Sequence, residues 1–318
     1  MRHRFFTALA TTYLCLMTYG SAWAAGPAGP AGPVSVWVAL SDTGGAHAEA
    51  AEALRARVEQ AQPGRVVWRV AHWSQFSGPK PEPHWVVAVG TAAQRGMQEL
   101  FAADATPPPL LAILVPRQAF ERIADPARAQ TGLLSAVFLD QPPARQLELI
   151  RLAMPAVRTV GILAGADFRE HSSIFEKAAK ERGLQLVVSV VGQSGLFAAL
   201  QQVLADAGVL LALPDPAVFN SQTAANILMA TYRRQVPLVG FSPAYVKAGA
   251  LLALYSTPAQ VGARGGEVLR QALAGRSLPP PQWPREFVVK VNQDVARSLG
   301  FALDEAKLGE QLREGERP

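Results

Sequence analysis

The chain has 318 residues, of which 49% are hydrophobic and 17% charged, with 30 Lys and Arg against 25 Asp and Glu and a formal net charge of +5. That much apolar material permits a sizeable core, enough for two α/β lobes. The basic residues are dispersed rather than gathered into a stripe with interleaved aromatics, which argues against a nucleic-acid partner.

The first residues read as an address. Arg2 and Arg4 form a basic start, an apolar run follows, and Ala22-Trp23-Ala24 has the small-x-small pattern of a leader-peptidase site, so residues 1–24 are predicted to be a cleaved signal peptide. Export to the periplasm follows from that reading. The single cysteine, Cys15, lies in this leader, so the mature chain is predicted to have no disulfide, thiolate nucleophile or Cys-ligated metal. Removing the leader takes two arginines and lowers the net charge to +3. Residues 25–33 (AGPAGPAGP) are too short for a collagen helix and read as a spacer.

From residue 34 the chain alternates strand and helix. VSVWVALSD is a buried strand, HAEAAEALRARVEQAQ an amphipathic helix stopped by Pro63-Gly64, and RVVWRVAHW a second strand. HWVVAVGTAAQ and PPLLAILVP continue the pattern. The second half repeats it with VRTVGILAGAD, GLQLVVSVV, GVLLALPD and VPLVGFSP, each followed by a helix signal. Alternation of this kind predicts an α/β fold of parallel sheets covered by helices on both faces, with continuous Val/Leu/Ile runs at strands buried on both sides.

One segment recurs. AVFLDQPPARQ in residues 131–167 aligns with LALYSTPAQVG in residues 247–275, about 115 residues apart, each as strand, proline-bearing break and helix. Two copies of one plan predict two similar lobes, with residues 34–138 and 256–284 in one and 139–255 and 285–304 in the other. Residues 305–318 are predicted to be a tail, a short helix or frayed, with little to bury.

In open parallel sheets ligands meet the carboxyl ends of strands. The candidate ligand-binding residues are therefore Ser41, Asp42, Thr43, Thr91 and Arg117 in the first lobe. In the second they are Asp167, Phe168, Ser172, Asp215, Phe241 and Ser242, with Asp140 and Tyr255 at the crossings. Thr91 and Asp215 also suit helix N-caps. The aromatic rings could wall a pocket, Arg117 could meet an anionic group, and the aspartates an amine or hydroxyls.

RQLELIRLAMP before VGIL, KAAKERGLQLVV, ALPDPAVF, VPLVGFS, VKAGALLAL, QVGARGGEVL and FVVKVNQDVARSLGF follow one another within residues 131–303. Together they carry a resemblance to the periplasmic substrate-binding proteins of ABC transporters, specifically the uncharacterised-transport group that includes tryptophan- and tyrosine-binding members. It implies the two-lobed type I binding-protein fold, joined by three crossings near residues 138–141, 255–257 and 284–286. It also implies capture of a small ligand between lobes, hinge closure, and docking on an inner-membrane permease. The chain departs from the family at VPRQ, where the pattern has VTDP, at Ser242, where an acidic residue is usual, and at Pro216-Ala217 after Asp215. The ligand is left open by these departures.

An enzyme is the contrasting class. No GxGxxG follows the first strand, no P-loop lysine follows a glycine run, and VGFSPAY lacks the last glycine of a nucleophile elbow. His3, His47, His72, His84 and His171 lack metal-ligand spacing. The reading is a monomeric, non-enzymatic solute-binding protein without cofactor or metal. A sensory or accessory binding protein acting on a receptor is the alternative, and a hydrolase using paired aspartates such as Asp42 and Asp167 stands behind it.

Overall fold

The computed structural model describes residues 32–76, 83–192 and 195–316; the predicted leader and all of the spacer before Gly32 lie outside the described residues. The first half lays down β1 (Val34–Leu40), α1 (Gly45–Ala61), β2 (Val66–His72), β3 (Trp85–Val89), α2 (Thr91–Leu100), β4 (Leu110–Val115), α3 (Arg117–Ile123), α4 (Pro126–Gln130) and β5 (Leu134–Phe138). Its strands pair in the order β2-β1-β3-β4-β5, all parallel. The second half continues with α5 (Pro143–Ala153), β6 (Thr159–Ala164), α6 (Ser172–Glu181), β7 (Gln185–Val190), α7 (Gly195–Asp206), β8 (Val209–Leu211), α8 (Ala224–Arg233), β9 (Leu238–Gly240), α9 (Pro243–Ala248) and β10 (Leu252–Tyr255). After these come α10 (Pro258–Leu273), β11 (Val288–Val291), α11 (Gln293–Ser298) and α12 (Glu305–Gly315). The second sheet runs β11-β10-β9-β8-β6-β7.

Two parallel α/β sheets are what the alternation predicts, with one exception. β11 runs antiparallel to β10, because the chain enters it on its return from the first sheet rather than through a crossover helix.

The central strands of each sheet are buried on both faces, and the two-residue period of a strand sorts its side chains between them. In β1, Val36, Val38 and Leu40 pack with α1 and α10, whereas Trp37 and Ala39 pack with Met97, Phe101 and Phe120 on the other face. The second sheet is divided likewise between a cluster around Leu147, Ile150 and Ile162 and one around Leu163, Val203 and Ile227.

The helix α10 leaves the second sheet and packs on the first. It begins with a capping box, in which the Thr257 hydroxyl accepts from the Gln260 N–H at 3.1 Å and the Gln260 side chain accepts from the Thr257 N–H at 2.8 Å. Its glycines let it lie backbone to backbone on α1: a Cβ at Gly262 would stand 2.1 Å from the Ala50 carbonyl oxygen, and one at Gly266 2.6 Å from that of Leu54. Side chains there would force the helices apart.

The C-terminal segment forms a short helix, one of the two expected forms, but it buries more than its charges suggest. Leu308 and Leu312, four residues apart on one face of α12, are buried in the core of the second sheet. Charges dominate the composition of this segment and obscure the pair.

Candidate functional site

The chain passes between the two sheets three times, and side chains tie the passages together. At the first and second passages, the Gln141 Nε2–H donates to Ser256 Oγ at 2.9 Å, and Ser256 Oγ donates to the Glu286 carbonyl at the third. Asp140 and Ser256 are the equivalent positions of the sequence repeat, so its two copies cross side by side. Arg145, one turn into α5, donates to Gln141 Oε1 at 2.7 Å, to the Pro284 carbonyl at 3.1 Å, and to both carboxylate oxygens of Glu316. Its guanidinium also lies 4.4 Å from the centre of the Phe287 ring. A planar fork with five donors suits this convergence of acceptors.

Beside the passages lies a cleft with an empty volume of about 510 Å³ counting the open solvent at its mouth. One wall is the start of α3, with Pro116, Arg117 and Gln118. The floor is formed by Asp140, Gln141, Pro143 and Gln146 from the first passage and α5, with Trp283 from the third. Phe168, His171, Phe175, Leu213 and Pro214 of the second sheet's loops form the opposite wall. An adjoining hollow shares Pro116, Gln118 and Pro214 and extends to Arg122, Asp167 and Asp215.

The α3 wall is set by a backbone irregularity. The register of β4 against β5 shifts between Ile113 and Val115, and the intervening Leu114 has φ of +55°. A branched side chain in this left-handed region is disfavoured by roughly 1–2 kcal/mol, so the surrounding packing holds it there. The bulge redirects the end of β4 and starts α3 immediately afterwards.

Ion pairs on α3 reach across the cleft. Arg117 Nε pairs with Glu121 Oε1 at 2.6 Å, and the guanidinium lies 5.3 Å from the Trp283 ring centre. Glu121 Oε2 lies 3.2 Å from His171 Nδ1, and Arg122 pairs with Asp167 at 2.8 Å. Asp140 Oδ1 accepts from the Arg117 N–H at 2.7 Å. Burial among protein groups raises the Asp140 carboxyl to about 6, with that hydrogen bond and the Arg117 charge opposing the shift. Part of its surface still opens on the cleft.

Residues 80–311, more than half of the chain, match the family model described as ABC transporter substrate binding protein. The chain belongs to this family. Among solved structures, this substrate-binding protein is similar to an ABC domain in complex with L-Trp from Streptococcus pneumonia, at 16% identity and a TM-score of 0.58, covering 86% of this chain and 97% of that one. It is similar to the ligand-free, open form of a substrate-binding protein with adhesive properties from Clostridium difficile, at 17% identity and a TM-score of 0.64, covering 85% and 96%. A periplasmic ribose ABC transporter structure from Conexibacter woesei matches at 14% identity and a TM-score of 0.53, covering 90% and 100%. These likenesses show the type I binding-protein fold. No curated protein matches the chain.

Of the residues predicted for its site, the substrate-binding protein brings Arg117, Asp140, Phe168, Asp167 and Asp215 to the cleft and its extension. Asp215 is committed to backbone, accepting from the Gly165 N–H at 2.8 Å and the Ala217 N–H at 3.0 Å. Ser172, at the start of α6, directs its hydroxyl to the Arg169 carbonyl at 3.3 Å. Ser41, Asp42, Thr43 and Thr91 stand at the ends of β1 and β3, outside the residues lining the cleft. Ser41 Oγ accepts from the Ala93 N–H at 2.9 Å, and Asp42 from the Gly44 N–H at 2.9 Å. Thr91 makes no cap: Gly90 is the N-cap of α2, with φ of +89°, and the Ser41 hydroxyl serves the helix end instead.

Phe241 and Tyr255 also lie away from the cleft. Phe241 packs with Phe219 and Tyr245 at ring separations of 6.3 and 4.8 Å, beside Ser242 at the N-cap of α9. Tyr255 pairs with Val288 of β11, and burial raises its phenol, with Lys290 and Glu305 nearby. Among the cleft residues that strand-end reasoning misses are Gln146 and Trp283. Gln146 lies one turn into α5 on its buried face and Trp283 in the loop that returns to β11, so only the topology brings them here.

Proposed function

We propose that the chain is a periplasmic solute-binding protein that captures a small polar or aromatic ligand between its two lobes and delivers it unchanged to an inner-membrane permease. The observation that carries this reading is the cleft itself, walled by loops from both sheets and floored by the crossing segments. Family membership and the open, ligand-free form of the Clostridium difficile neighbour support closure about a hinge. The moving bodies are residues 34–138 with 256–284, and 139–255 with 285–304. The Gln141–Ser256–Glu286 network is the pivot. The contacts of Arg122 with Asp167 and of Glu121 with His171 belong to the closed form. The ligand lies against Arg117, Asp140 and Phe168. Cleavage after Ala24 releases the mature protein, which works as a monomer without metal or cofactor.

Native mass spectrometry of protein purified from its own periplasm tests this reading. The expected result is a stoichiometric bound compound that raises the melting temperature when returned to stripped protein and is recovered unchanged. Consumption of the compound, or stabilisation by a divalent metal alone, would replace it with an enzyme or a metal-binding protein. Cross-linking in the same cells that captures a receptor rather than a permease would favour the sensory alternative.

A further inference from the structure

The charged groups of the cleft already have partners within the protein, whereas two buried neutral polar atoms that line it do not. Arg117, Glu121 and His171 form one set of contacts, Arg122 and Asp167 another, and Asp140 receives the Arg117 N–H. Asp215, in the extension, is taken up by two backbone N–H groups. By contrast, Gln146 is 3% exposed and its Oε1 is buried without a hydrogen-bond partner among the described residues. The indole Nε1–H of Trp283 is likewise buried and unpartnered.

Both residues line the same cavity, where the apolar Pro143, Phe168, Phe175 and Leu213 stand beside the already partnered Arg117, Asp140 and His171. An unpaired polar group in such surroundings is unfavourable, and apolar side chains of similar size would remove the mismatch. Their presence is explained if a ligand completes them. An amide offers an acceptor and a donor in one plane, so its complement is a flat group with a donor beside an acceptor. An anionic ligand would have to displace Glu121 from Arg117 or Asp167 from Arg122, and a cationic one would find only Asp140 and Asp215, whose carboxylates already accept backbone N–H groups.

Resting on the solute-binding reading above, we propose that the ligand is uncharged and presents an amide-type edge, such as a carboxamide or lactam, to Gln146 and Trp283, with its apolar body between the prolines and Phe168. The Gln146 amide takes the donor and acceptor of that edge, and the Trp283 N–H gives a second bond to its carbonyl. Arg117 covers the outer face of the indole and holds it in place.

The test uses the mature protein stripped of bound ligand and four probes: benzamide, benzoate, benzylamine and L-tryptophan. Benzamide is expected to raise the melting temperature and, by calorimetry, to bind at least tenfold more tightly than benzoate or benzylamine. Gln146→Leu should lower benzamide affinity at least tenfold while leaving the unliganded melting temperature equal or higher, and Trp283→Phe should lower it several-fold. Tighter binding of a charged probe, benzamide affinity unchanged in Gln146→Leu, or no response to any probe would each overturn the inference. A charged winner leaves the solute-binding reading intact. That reading fails separately, if the native protein carries no compound or consumes the one it carries.

Discussion

Substituting Gly262 by Ala tests how α10, which leaves the second sheet, is secured to the first. The added Cβ would lie 2.1 Å from the carbonyl oxygen of Ala50, 2.8 Å from its carbonyl carbon and 2.9 Å from its Cα, whereas ordinary contact begins near 3.4 Å. Those atoms are helix backbone on the buried face of α1 and cannot rotate away, so the helices must separate by more than an ångström along their contact. Overpacking of this kind costs about 1–3 kcal/mol, and the gain in helix propensity from Gly to Ala returns about 1. Because the obstacle is main chain, we expect the upper end of that cost and a net loss of about 2 kcal/mol. Gly309→Ala is the control: in α12 the new Cβ would meet only the far end of Arg313, 3.5 Å away, so propensity should dominate and stability should hold or rise by up to about 1 kcal/mol. Urea unfolding followed by circular dichroism reads both as a change in midpoint at constant slope. If Gly262→Ala proved as stable as Gly309→Ala, the close approach of α1 and α10 would be wrong.

Three further outcomes are expected. Arg145→Met removes hydrogen bonds to Gln141, to two backbone carbonyls of the third passage and to Glu316, and should destabilise the protein by about 2–3 kcal/mol in the same urea assay; Glu316 is exposed enough to rehydrate, which keeps the loss from being larger. For Asp140 the folded value of about 6 exceeds the unfolded value of about 3.9, so between them the native state keeps a proton that the unfolded chain has released. Its contribution therefore falls as pH rises from about 4 to about 6, by at most about 3 kcal/mol and by less where cleft water screens the carboxylate. Asp140→Asn should lack that slope and melt above the wild type at pH 7, as melting curves across this range would show. The Arg122–Asp167 pair is exposed on both sides, 59% and 42%, so it contributes under about 1 kcal/mol and is screened by salt. Scattering from the ligand-free protein should show a larger radius of gyration at 0.5 M salt than at ~0.01 M, and no change would remove this pair from closure.

The sheets were legible because buried parallel strands are continuous apolar runs: VVAV, LLAILV and GILA need no tertiary information to be recognised. The antiparallel direction of β11 was not, because a short VVKV reads the same in either sense. The glycines of QVGARGGEVL appear in the sequence as part of a family pattern, but what they accommodate is the backbone of α1, some 210 residues earlier in the chain. Strand-end reasoning located Arg117, Asp140, Asp167, Phe168 and Asp215 at the cleft. It also selected Phe241 and Tyr255, which end strands in the second sheet but turn into the α9 packing and toward Lys290. Gln146 and Trp283 carried no local signal. A buried glutamine on an otherwise apolar helix face is visible only once that face has a cavity beside it.

The central claim is that solute binds between the lobes and closes them. Small-angle scattering of protein carrying its native compound, compared with the same protein stripped by reversible unfolding in urea, tests it most directly. A fall in radius of gyration on rebinding, reversed on removal of the unchanged compound, is the predicted result. A stoichiometrically bound compound that leaves the scattering curve unaltered would contradict it.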